Sequence, residues 1–295
     1  MKQTIFTGAA TAIVTPLTEK GIDFSRFGAM IDWQIEQGID AIVAVGTTGE
    51  GSTLTDEEHR AVIKFTVERV AGRVPVIAGT GSNDTAYAID LTKYACEVGA
   101  DAMLVVSPYY NKATQKGLIA SFTAIADAST KPVILYNVPS RTGCNILPAT
   151  AAVLAEHPNI VAMKEASGNI SQIAELAALT RGKMDIYSGN DDQIVPVLSL
   201  GGKGVISVLS NVLPAETVEI CDRFFRGDVA GSAELQLDLL ELTNALFCEV
   251  NPIPVKAAVS AMGFGANILR LPLTPMESEN EKKLFALMRE QGINV

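Results

Sequence analysis

A lysine ends the apolar run Ile160-Val161-Ala162-Met163-Lys164, and Gly168 breaks the chain soon after. A short apolar run bounded by turn signals reads as a buried strand. Lysine is seldom fully buried without a partner. Where it is, the ammonium loses hydration, its pKa falls, and a neutral nucleophilic amine becomes accessible near neutral pH. Lys164 is therefore a candidate Schiff-base nucleophile. The ordinary alternative is a lysine that leaves the strand and snorkels into water, and this stretch taken alone favours it. A Schiff-base reaction also needs a proton shuttle and a grip on a carboxylate. Tyr136 can donate and accept a proton, and Thr47 can bridge it to another hydroxyl. Arg141 offers a planar fork for a carboxylate. The loop from Gly46 to Gly51 exposes backbone N–H groups that could hold a second one. Each has a plain structural reading: a core-capping tyrosine, a surface ion pair, a simple turn. Their joint appearance at one rim is harder to set aside.

The elements that must position these residues alternate regularly. Apolar strand patterns centre near residues 10, 42, 76, 104, 134, 162, 186 and 206, each followed by a helical pattern. Phe24, Phe27, Ile31 and Ile35 share one helical face, with Gly38 where a C-terminal cap belongs. Thr55-Asp56-Glu57-Glu58 is a capping box. Gly38-Ile39-Asp40-Ala41-Ile42-Val43-Ala44-Val45 echoes Gly99-Ala100-Asp101-Ala102-Met103-Leu104-Val105-Val106, as repeated strand–helix units would. Strands apolar on both faces fit a sheet covered by helices. The pattern predicts an α/β fold, a (β/α)8 TIM barrel over residues 1–227, with a doubly wound sheet as the alternative. Residues 228–295 read as an all-helical C-terminal extension, with helices over Ala230 to Cys248, Pro254 to Met262 and Ser278 to Gln291. Packing or oligomer contacts, not chemistry, are its expected roles. In such a barrel the active site lies at the C-terminal strand ends. Thr47, Thr48, Tyr109, Tyr110, Tyr136, Arg141, Lys164 and the Gly189-Asn190-Asp191 turn all fall there. Strict alternation places Ile160, Ala162 and Lys164 on one face and sends Glu165 toward the helices.

Composition narrows the function classes. The 295 residues are 48% hydrophobic and 19% charged, enough for a large core. A net charge of −10 argues against nucleic acid as the main partner, since phosphate binding needs clustered cations. Four scattered cysteines, Cys96, Cys144, Cys221 and Cys248, lack C-x-x-C spacing and suit a reduced compartment. No signal-peptide pattern or membrane-length apolar run is evident, so the cytoplasm is expected. His59 and His157 are the only histidines and lack paired-ligand spacing, so no catalytic metal is expected. The glycine-rich loops lack the rest of a P-loop or dinucleotide fingerprint, and no G-x-S-x-G elbow occurs.

Three blocks together, Gly46-Thr47-Thr48-Gly49-Glu50, Tyr136-Asn137-Val138-Pro139-Ser140-Arg141-Thr142-Gly143 and Lys164-Glu165-Ala166-Ser167, resemble the motifs of the 4-hydroxy-tetrahydrodipicolinate synthase (dihydrodipicolinate synthase) family. Pro108-Tyr109-Tyr110-Asn111 and Tyr187-Ser188-Gly189-Asn190-Asp191 match as well, and the resemblance runs over essentially the whole chain. These are class I, pyruvate-dependent aldolases of lysine and diaminopimelate biosynthesis. The resemblance implies that Lys164 forms an imine with pyruvate, whose enamine attacks L-aspartate 4-semialdehyde, with no other cofactor. It implies a proton relay of Tyr136, Thr47 and Tyr110, the last supplied by a neighbouring subunit of a homotetramer built from two tight dimers. Arg141 would hold the semialdehyde carboxylate. Thr48 and the Ile206 backbone would help bind pyruvate, with Gly189 also at the substrate. Sister enzymes, N-acetylneuraminate lyase and 2-keto-3-deoxy-sugar-acid aldolases, share the lysine, the tyrosine and the G-x-x-G-E loop. Arg141 within Pro139-Ser140-Arg141-Thr142-Gly143 favours the synthase. Some members are inhibited by lysine, and Asn83, Tyr109 and His59 match that site. Asp56 and Tyr87 depart from it, so weak or absent inhibition is expected.

Overall fold

The computed structural model describes residues 2–295. Eight parallel strands close into a barrel: Gly8–Ala12, Ala41–Ala44, Val76–Gly79, Ala102–Val106, Val133–Asn137, Ile160–Glu165, Asp185–Ser188 and Gly204–Ser207. The first pairs with both the second and the last, which closes the ring. All eight expected strands are present. Their residues divide between two apolar layers. Ala10, Val43, Ile77, Leu104, Ile134, Ala162 and Ile206 fill the lumen, while Ala9, Ile42, Ala78, Met103, Leu135 and Met163 face the helices. Burial on both faces is why the strands read as continuous apolar runs.

The sequence echo has a structural cause. Gly38 and Gly99 end their helices at φ +89° and +94°, in the left-handed region that suits glycine. The aspartate two residues on then turns to the strand next door. Asp40 Oδ2 accepts the Ala9 N–H at 2.8 Å, and Asp101 Oδ2 accepts the Val76 N–H at 2.8 Å. Each carboxylate satisfies a donor at the start of a strand that no ladder partner reaches. The capping box forms as expected, with Thr55 and Glu58 closing on each other's N–H groups.

Two departures from the sequence pattern bear on the site. The lysine strand is not strictly alternating. Val133 pairs with Ile160 but Ile134 pairs with Ala162, so Val161 is an extra residue in a β-bulge. Ile160 consequently faces the helices, while Val161 and Ala162 both belong to the lumen. Ile160 is therefore not a face-mate of Lys164. The second departure is in the extension. One helix over Ala230 to Cys248 is replaced by two, Val229–Asp238 and Leu240–Ala245. The bend at Leu239 lets Leu239, Leu242 and Leu246 all reach the core. The helices Ile253–Ala261 and Ser278–Glu290 form close to expectation.

Candidate active site

The bulge sets the phase of the strand end. Beyond it, Tyr136, Lys164 and Tyr187 stand level on three adjacent strands. Lys164 is 6% exposed, and its Nζ lies 4.4 Å from the Tyr136 ring centroid. Below, Tyr187 stacks on Phe6 with centroids 4.2 Å apart and donates to the Phe6 carbonyl at 2.7 Å. The amine therefore rests on a floor of apolar and aromatic groups. Burial pulls the Lys164 pKa down to about 8, opposed by the Asp191 carboxylate and aided by the Arg141 charge. A snorkelling lysine would be exposed, so that reading falls. Glu165 turns outward, where its carboxylate accepts from Asn137 and from the Ser167 N–H at 2.6 Å. Gly189 is required for space. A Cβ there would lie 3.1 Å from Lys164 Cε and 2.6 Å from Ala166 Cβ.

A cavity of about 180 Å³ opens above the amine, lined by Thr47, Thr48, Tyr136, Arg141, Lys164 and Gly189 among others. It adjoins a second, of about 390 Å³, that shares Thr47, Tyr136 and Arg141 and extends to His59, Tyr87 and Tyr109. Burial raises the Tyr136 phenol pKa, so the phenol is held neutral at neutral pH, while Arg141 and Thr47 moderate the rise. A neutral phenol can both give and take a proton. Arg141 stands in a short helix, Pro139–Thr142, where the pattern shows only a turn. Its guanidinium faces the cavity and donates to the Asn251 carbonyl at 3.2 Å.

Six of the eight residues singled out by sequence meet at this cavity. Ile206 lies one layer lower, fully buried in the lumen, and Val208 takes the rim position. Tyr110 lies outside, 90% exposed, at φ +72°. Some residues were not anticipated. Asn251, in the extension, donates from Nδ2 to Thr48 Oγ1 at 3.0 Å and lines the cavity with Phe247. The extension, expected to pack or make oligomer contacts, thus also lines the cavity, through Phe247 and Asn251 between its helices Leu240–Ala245 and Ile253–Ala261. Asp191, placed at the rim by the sequence with Gly189 and Asn190, is buried, with Oδ2 accepting the N–H groups of Val208 and Leu209 at 3.0 and 3.1 Å. Lys256 was legible in principle, as a single charge within the apolar helix Ile253–Ala261.

Residues 5–291 match the dihydrodipicolinate synthetase family. A 4-hydroxy-tetrahydrodipicolinate synthase of Lachnoclostridium phytofermentans is 60% identical over 291 residues, 98% of this chain and 99% of that protein. The crystal structure of a dihydrodipicolinate synthase from Aquifex aeolicus is 44% identical and superposes with a TM-score of 0.97, covering 98% of this chain and 99% of that one. A chloride-inhibited dihydrodipicolinate synthase from Acinetobacter baumannii, complexed with pyruvate, is 46% identical with a TM-score of 0.96, covering 98% and 100%.

Proposed function

The chain belongs to the dihydrodipicolinate synthetase family, and from that premise we propose how its own residues carry the family's reaction. It is an enzyme, an aldolase-type lyase that condenses pyruvate with L-aspartate 4-semialdehyde in lysine biosynthesis. In our reading the Lys164 amine attacks the pyruvate carbonyl, and loss of water leaves a protonated imine. The imine draws electrons from the methyl group, which loses a proton to give an enamine. That carbon attacks the semialdehyde carbonyl, and the new alkoxide takes up a proton. The semialdehyde amine then displaces Lys164 from the imine carbon, which closes the ring and frees the enzyme. No bound cofactor enters, because the covalent imine is itself the electron sink.

Tyr136 and Thr47 move the protons of these steps, and Tyr110 completes the relay from a neighbouring subunit. Its exposure, outside the residues that line the cavity, supports a role across an interface. Arg141 takes the semialdehyde carboxylate. Thr48 takes the pyruvate carboxylate, with Gly189 and the Ile206 backbone around it. We propose a homotetramer of two tight dimers, in the cytoplasm, where four free cysteines are at home. No helix of the described residues is long and apolar enough to cross a membrane. We further propose that residues 1–227 and 228–295, barrel and extension, act as one catalytic unit, and that free lysine inhibits weakly or not at all. Tyr87 supports this last point, since its hydroxyl donates to Asp56 at 2.9 Å beside the second cavity and is engaged within the chain.

The buried Lys164, level with Tyr136 under the Thr47–Arg141 cavity, carries the reading. Borohydride with pyruvate should add a pyruvate-derived mass to Lys164, absent in Lys164→Ala; an unlabelled wild type overturns the assignment. Turnover with aspartate semialdehyde should exceed that with sialic acid or keto-deoxy sugar acids, and the reverse order would point to a sister aldolase.

A further inference from the structure

The loop from Gly46 to Gly51, which carries Thr47 and Thr48, is held in an unfavourable backbone. Val45 sits at φ +51° and Glu50 at φ +55°, one at each end. Positive φ is a genuine outlier for a β-branched residue such as valine. The loop is also pressed against its neighbours: a Cβ at Gly51 or at Gly79 would stand 2.5 Å from the Val45 carbonyl oxygen. Backbone held this way persists only where surrounding contacts over-determine it.

Those contacts converge on one side chain of the C-terminal extension. Lys256 and Glu50 have side chains 1% exposed and form an ion pair at 2.6 Å. The same Nζ donates to the Thr15 carbonyl at 2.6 Å, and the Thr15 hydroxyl donates to the Gly49 carbonyl at 2.8 Å. The Arg270 N–H reaches Glu50 Oε2 at 3.3 Å. Lys256 thus grips the loop twice, directly at Glu50 and through Thr15 at Gly49. Neither Lys256 nor Glu50 lines the cavity above Lys164.

We infer that Lys256 and Glu50 are positioning residues for the condensation: their buried pair holds the strained loop so that the Thr47 hydroxyl meets Tyr136 and the Thr48 hydroxyl faces the substrate. This rests on the proposal that Thr47 and Tyr136 carry the proton. A buried ion pair is replaceable by neutral groups as far as stability is concerned, whereas breaking it on one side strands a charge. That difference separates positioning from mere stability.

The test compares wild type with Lys256→Met, Lys256→Met/Glu50→Gln and Thr47→Val, by urea midpoint, kcat and KM for pyruvate. Lys256→Met should lower the midpoint, and the double variant should recover most of it by removing the stranded carboxylate. Its kcat should nonetheless stay down by about tenfold or more, as expected for a slightly misplaced group. Its KM for pyruvate should rise as well, because the same loop carries Thr48 to the pyruvate carboxylate. Wild-type kcat in the double variant overturns the inference. Should the double variant not fold, Glu50→Asp decides, since it keeps both charges and shortens the reach of the pair. A kcat lowered by about threefold or more supports the inference, and an unchanged kcat sinks it. Thr47→Val keeps the two levels apart: wild-type turnover there would refute the relay itself, whereas an impaired Thr47→Val beside an intact double variant refutes only the positioning role.

Discussion

Replacing Lys164 by methionine should make the protein more stable at pH 7 while abolishing turnover. Methionine has similar length and no charge, and the floor beneath the amine is apolar and aromatic. Burial lowers the Lys164 pKa from 10.5 to about 8, which corresponds to about 3 kcal/mol against the charged form in the folded state. Below pH 8 the amine is protonated in both states, and the folded chain bears this whole cost. Between pH 8 and 10.5 the folded chain releases its proton first, so the unfolded state binds more protons and stability rises with pH. Above 10.5 both forms are neutral and the cost is gone. The gain from Lys164→Met should therefore be about 3 kcal/mol at pH 7 and shrink toward a small packing difference above pH 10.5. The kinetic counterpart is that about one amine in ten is neutral at pH 7, against about one in three thousand at an ordinary lysine. Urea denaturation of both proteins at pH 7 and at pH 10.5, at one protomer concentration, reads the difference. A gain no larger at pH 7 than at pH 10.5 would refute the claim that burial depresses this amine.

Three more expectations follow from the same geometry. Arg141→Met should raise KM for aspartate semialdehyde while the borohydride-trapped pyruvate adduct still forms, because the guanidinium faces the cavity and its hydrogen bond goes to the Asn251 carbonyl; an equal loss of adduct would contradict this. Gly79→Ala should lower stability by about 1–3 kcal/mol, the usual cost of overpacking a core, since its Cβ would meet the Val45 carbonyl at 2.5 Å; an unchanged urea midpoint would show that the loop yields freely. Free lysine should leave steady-state turnover nearly unchanged, and strong inhibition would mean that the Tyr87–Asp56 hydrogen bond opens for a ligand.

The barrel was legible because parallel strands covered on both sides must be apolar throughout, and each such run here ends in a polar or glycine-rich rim. The same property hid the phase of the lysine strand. Ile160, Val161, Ala162 and Met163 are all apolar, so nothing in their order says which face each takes, and the bulge at Val161 is invisible. Arg141 was recognisable by type and neighbours, although a four-residue helix is too short to leave a periodic signal. Asn251 was out of reach for another reason: its partner Thr48 is 203 positions away, and an asparagine before a proline reads as a turn. Lys256 carried a usable signal, because a lone charge inside an otherwise apolar helix implies a buried partner. Only the fold could identify that partner as Glu50.

The extra residue at Val161 gives the lysine strand a parity. Counted from Val133 and Ile160, which face the helices together, an uninterrupted ladder would set Met163 beside Tyr136 and turn Lys164 outward next to Asn137. One inserted position reverses this and brings Lys164 into the lumen, leaving Glu165 to Asn137. The direction of the Lys164 amine is thus set by how many residues precede it in the strand as much as by its own identity. A single-residue deletion at Val161 is a frame error in three dimensions: every remaining side chain is conserved in type, yet the amine and the carboxylate exchange compartments.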